Sequence, residues 1–127
     1  MALPAIAAQP APVSLRTERT EDVARVVREG RGLTIAITSV SGIGRMAITP
    51  TARTPWPSPL RLRLRYAPGR PFRTLEGLDV SVDGIVVATR EAMRVEARRD
   101  WLEVVLPADV AEAGKPIRVQ WVDAYRR

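Results

Sequence analysis

The chain has no cysteine and no histidine among its 127 residues, and no asparagine either. Without cysteine there is no disulfide framework and no thiol chemistry. Without histidine the commonest general base and the commonest transition-metal ligand are both missing. Without asparagine there is no acceptor for N-glycosylation. Lysine is nearly absent as well, since Lys115 is the one lysine beside 19 arginines. No run approaches the ~18 apolar residues of a membrane-spanning helix. Aromatic residues make up only 5 % of the chain, so each of the three tryptophans, Trp56, Trp101 and Trp121, has to be accounted for.

What is present describes one small globular domain. A hydrophobic content of 46 % suffices for a core at this length. The net charge is +6, and it is unevenly placed. Between residues 30 and 75 there are eight arginines and no Asp or Glu, so the whole basic excess resides in the middle third. Guanidinium groups fork onto carboxylates or phosphates and stack on rings, so such a stretch suits a polyanion.

The hydrophobic pattern has period two. Leu33, Ile35 and Ile37 alternate with Thr34, Ala36 and Thr38, and Met46 and Ile48 resume the alternation after Ser41-Gly42-Ile43-Gly44. Residues 50–59 hold four prolines and read as a loop, because proline cannot donate to a sheet ladder. Leu60, Leu62, Leu64 and Tyr66 then share one face of a strand whose other face is Arg61, Arg63 and Arg65. Asp83-Gly84 between alternating hydrophobics signals a tight hairpin. A second hairpin spans residues 92–106 across Arg98-Arg99-Asp100, and residues 107–113 read as one helical turn ended by Gly114. In the last strand Ile117, Val119 and Trp121 alternate with Arg118 and Gln120. Residues 21–29 fit either a helix or a strand, and the following Gly30-Arg31-Gly32 turn favours the strand. The expectation is seven to nine short strands in an antiparallel β-sandwich, jelly-roll or immunoglobulin-like, over residues 13–127. Residues 1–12, MALPAIAAQPAP, read as a flexible tail or the remnant of an export signal.

Two short stretches resemble a family of uncharacterised bacterial proteins, many of which carry export signals. One is Ser41-Gly42-Ile43-Gly44, and the other is residues 119–126, similar to that family's closing IQWIDFYR strand. Ala124 stands where the family has a bulky aromatic residue. The resemblance implies a β-sandwich in the periplasm or outside the cell. It implies no activity, no cofactor and no site residues.

Catalysis finds little support in these residues. Gly42-Ile43-Gly44 lacks the third glycine and the following helix of a dinucleotide fingerprint, and reads as a turn. The available acids are Asp79, Asp83, Glu96, Glu103, Asp109 and Asp123, and nothing in their spacing pairs two across a cleft. Asp83 belongs to its hairpin. Asp123 is in phase with Trp121, so an inward carboxylate there calls for a partner such as arginine. The expectation is therefore a non-enzymatic domain, without cofactor or metal, that acts by binding or as a structural module. Its partner would be an envelope protein or an anionic polymer, with nucleic acid less favoured. The candidate polyanion-binding residues are Arg61, Arg63, Arg65, Arg70 and Arg73. The candidate platforms for a sugar ring are Trp56 and Trp101. The bland alternatives are a solvated arginine face, with Arg63→Ala costing under about 0.5 kcal/mol, and a Trp56 that plugs the core.

Overall fold

In the computed structural model residues 13–50 and 56–123 are described. They form ten strands, a single 3-10 turn (Arg90–Ala92) and one short α-helix: β1 (Val13–Thr17), β2 (Val23–Glu29), β3 (Gly32–Ser39), β4 (Ile43–Pro50), β5 (Leu60–Tyr66), β6 (Leu75–Val82), β7 (Ile85–Thr89), β8 (Arg94–Ala97), β9 (Leu102–Val105), α1 (Ala108–Ala113) and β10 (Ile117–Asp123). They make two five-stranded sheets, β1-β4-β10-β6-β7 and β2-β3-β5-β9-β8. The all-β sandwich expected from the period-two pattern is the fold. The tail 1–12, the middle of the proline-rich connection (residues 51–55) and Ala124 lie outside the described residues.

Two details differ from the expectation. Ten strands are described, because both β1 and β2 are genuine strands and β2 pairs with β3 along its whole length. The second sheet is also not wholly antiparallel, since β3 and β5 run side by side in parallel. A parallel neighbour needs a crossover, and β4 supplies it by leaving for the opposite sheet before the chain returns as β5.

The core lies between the sheets. Leu33, Ile35 and Ile37 of β3 and Leu60, Leu62 and Leu64 of β5 come from one sheet. Met46, Ile48, Leu78, Val80, Ile117, Val119 and Trp121 come from the other, and none of these side chains is more than 2 % exposed. The final strand and the leucine strand therefore bury their apolar phases in one cluster, as their alternation requires. The β6–β7 hairpin turns on Asp83 (φ 53°) and Gly84 (φ 79°), the positive-φ pair that suits the twist of the flanking strands. The helix closes one end of the sandwich. Its Val110 and Ala111 are buried, and Ala111 accepts a hydrogen bond from the Trp56 backbone N–H (2.8 Å).

Candidate functional site

The two stretches that carry the family resemblance meet in space. β4 and β10 pair so that Gly44 stands opposite Trp121 and Ile43 opposite Val122. Any Cβ at Gly44 would lie 2.5 Å from Trp121 Cζ2, so only glycine lets the indole pass. The Trp121 Nε1–H donates to Ser39 Oγ (3.2 Å), and the Gly42 N–H donates to the same oxygen (3.2 Å). The Asp123 N–H donates to the Gly42 carbonyl (2.8 Å). Asp22 is buried beside this turn and accepts the Val40 N–H (2.9 Å).

Asp123 completes this knot. It is fully buried, and its carboxylate accepts the Tyr66 hydroxyl (2.5 Å) and the Thr74 N–H (3.0 Å). The inward carboxylate expected at this position is thus held by partners that include a phenol and a backbone amide. The knot ties the last strand to the β3–β4 turn and to the entry of β6. A carboxylate so enclosed positions backbone and does not face a ligand.

The arginine strand looks the other way, onto the outer face of the second sheet. Here the ladder expected from the sequence changes character, because β9 runs beside β5 and brings acids from the last third of the chain. Arg61 Nε is 3.4 Å from Glu103, Arg63 is 3.9 Å from the same carboxylate, and Arg65 is 3.4 Å from Asp100. Arg65 Nε also donates to Thr38 Oγ1 (3.2 Å). Beyond β9, Arg94 and Arg98 both pair with Glu96 on β8 and in the turn after it. The three strand arginines are thus partly covered members of an ion-pair network rather than a bare cationic ladder.

The other candidates separate. Arg70 and Arg73 lie on the connection from β5 to β6, off the strand face, with Arg70 6.0 Å from the centre of the Tyr66 ring. Trp56 is only 4 % exposed, and its Nε1–H donates to the Lys115 carbonyl (3.2 Å). It is a plug over the end of the core, so the platform reading fails for Trp56. Trp101 does stand on the outer face, but one side of the ring is covered. The Arg63 guanidinium lies 4.5 Å from the ring centre. Trp101 is a fixed wall, not an open platform.

That wall borders a groove of about 340 Å³ on the outer face. Its floor includes Ala36 and Thr38 of β3, and its sides include Arg63, Arg65, Asp100 and Trp101. Val23 and Arg25 of the edge strand β2 complete it. The groove exists because Ala36 is small and sits in register between Arg25 and Arg63, two long side chains that stand up on either side. Arg25 is exposed, and among the described residues no ion pair engages it. Among the described residues, Trp101 Nε1 and Asp100 Oδ1 are polar atoms at the groove that are buried without a hydrogen-bond partner. Such atoms are rare in folded proteins and each needs an explanation.

Arg25, Thr38 and Asp100 were not singled out from the sequence. Arg25 had a weak signal in its outward phase between Val23 and Val27, whereas Asp100 read only as part of a turn. Three other grooves of 340–480 Å³ lie around β1, β4 and the β6–β7 hairpin, but neither Trp101 nor Asp100 lines them. Among the described residues no group of three or more His, Cys, Asp or Glu is placed to hold a metal ion. No helix among them is long and apolar enough to cross a membrane. Comparison of the chain with family models, with curated proteins and with solved structures gives no match.

Proposed function

We propose that this chain is a non-catalytic β-sandwich binding module of the bacterial envelope, with the outer face of the β2-β3-β5-β9-β8 sheet as its ligand surface. The observation that carries the reading is the groove beside Trp101. There a rigid sheet holds an aromatic wall and, among the described residues, an exposed arginine without an ion-pair partner and polar atoms that protein groups leave unsatisfied. The basic excess of the face supports an anionic ligand. Arg25, Arg61, Arg63, Arg65, Arg94 and Arg98 stand there against Glu96, Asp100 and Glu103. The envelope location rests on the family resemblance and on the Ala/Pro-rich first twelve residues.

The test is direct binding to heparin, DNA and acidic polysaccharide at low salt. The reading expects affinity for at least one of them, weakened by salt and by Arg25→Glu. Undetectable binding to all three removes it. A reporter active only outside the cytoplasm, fused to the full-length gene, tests location, and an inactive fusion refutes the envelope assignment.

One observation favours a second reading, a structural module that docks a partner's strand. The edge strand β7 carries Ile85, Val86 and Val87, which are 68, 53 and 45 % exposed. Edge strands of this kind are ready templates for pairing with another chain. This reading predicts that Val87→Lys abolishes capture of an envelope protein while ligand binding at the outer face is kept.

A further inference from the structure

The groove's own chemistry narrows the ligand. We infer that it takes a carboxylate-bearing sugar unit of an acidic polysaccharide; this rests on the outer face being the ligand surface, as proposed above.

The groove presents hydrogen-bonding groups of both kinds. Arg25, Trp101 Nε1–H and the Thr38 hydroxyl are donors, and Asp100 Oδ1 is an acceptor. A nucleic-acid backbone brings anionic acceptors, and one of them against Asp100 would be repelled. A uronic acid brings a carboxylate for Arg25 and hydroxyl groups that donate to Asp100. Its apolar C–H face also matches the surface left by Val23, which is 58 % exposed, and by the Trp101 ring. The volume of about 340 Å³ is at the small end of ligand pockets, which run roughly from 300 to 1,000 Å³. It holds a short saccharide segment and not a duplex.

The charge balance points the same way. Arg61, Arg63 and Arg65 are already engaged by Glu103 and Asp100, so a long polyanion gains less from them than from a free cation. Arg25 is left as the main cation for the ligand. Binding then depends weakly on salt, with log K falling by about one unit per tenfold rise in salt, as for one released counterion. A ligand reaches the two covered atoms by displacing flexible arginine side chains. Arg63 is stacked on the indole and Arg65 is paired with the other Asp100 oxygen, so binding alters the surroundings of Trp101.

The experiment titrates the full chain with oligogalacturonate, its methyl ester and oligodeoxythymidylate, read by tryptophan fluorescence and calorimetry. Oligogalacturonate is expected to bind at least ~10-fold more tightly than its ester, the effect of one charge-assisted hydrogen bond. Trp101→Phe keeps an aromatic ring and removes the N–H; it and Arg25→Gln should each weaken oligogalacturonate binding roughly 10-fold, with the melting temperature unchanged in Arg25→Gln. Arg118→Gln, on the outer phase of β10 in the opposite sheet, should leave it unchanged. Equal affinity for acid and ester overturns the inference. So does tighter, steeply salt-dependent binding of the oligonucleotide, although the outer face would then remain a ligand surface if Arg25→Gln weakens that binding. If none of these probes binds, nor heparin, the inference and the function proposed above both fall.

Discussion

Gly44 and Trp121 show how one residue without a side chain makes room for the largest one in the core. The indole is fully buried and crosses from one sheet to hydrogen-bond Ser39 of the other. Replacing Trp121 by alanine should cost roughly 3–5 kcal/mol, the range for deleting a buried large aromatic. Such a loss is a large part of the ~5–15 kcal/mol available to a domain. Gly44→Ala attacks the same contact from the other side, since its Cβ would meet Trp121 Cζ2 at 2.5 Å and Asp22 Oδ2 at 2.9 Å. Overpacking of this kind should cost about 1–3 kcal/mol. Urea denaturation of both variants checks the pair. A Gly44→Ala protein as stable as the parent would show that the turn and the indole can move apart. Asp123 behaves likewise as a structural residue: removing its carboxylate takes away an acceptor of the Tyr66 hydroxyl and of the Thr74 N–H.

At the scale of elements, β5 and β9 decide what the arginines mean. Period two alone places Arg61, Arg63 and Arg65 on one outer face, and they are there. That alternation does not reveal which strand lies alongside, and here it is β9 with Glu103 opposite Arg63. The near-neutral cost expected for Arg63→Ala on a solvated face is therefore revised upward. Arg63 is 21 % exposed, shares Glu103 with Arg61 and covers Trp101. A cation–π contact at such a site is worth about 0.5–1 kcal/mol and a partly exposed ion pair about 0–1 kcal/mol. The expected cost is about 1 kcal/mol, measurable by urea denaturation, with a change in Trp101 fluorescence. A loss below ~0.3 kcal/mol with an unchanged spectrum would show that neither contact contributes.

The whole molecule carries a net charge of +6, yet its stability should depend little on salt. Screening weakens the Arg–Glu and Arg–Asp pairs of the outer face, which costs stability. It also relieves the self-repulsion of a basic chain, which restores some. The pairs are surface or partly covered ones, each worth little singly. Unfolding free energy should change by under about 1 kcal/mol between low and molar salt. Urea melts in the two conditions check this, and a much larger loss would mean that the ion-pair network holds the second sheet together.

The sequence by itself determined the element pattern, because strand residues advertise their buried face at every second position. It placed the Asp83-Gly84 hairpin, the helical turn before Gly114 and the apolar phases of the last strand and the leucine strand. All of these rest on local geometry, or on the need to hide one phase. The tertiary structure alone decided which strands are neighbours. That choice made β3 and β5 parallel, set Glu103 and Asp100 against the arginine strand, and drew an acid-free third of the chain into an ion-pair network. It also enclosed Trp56, and it joined Arg25, Thr38 and the Asp100-Trp101 pair, from three separate stretches, around one groove. Alternation reports only inside or outside. Pairing across a sheet depends on how the whole chain is threaded, and no single segment carries that information.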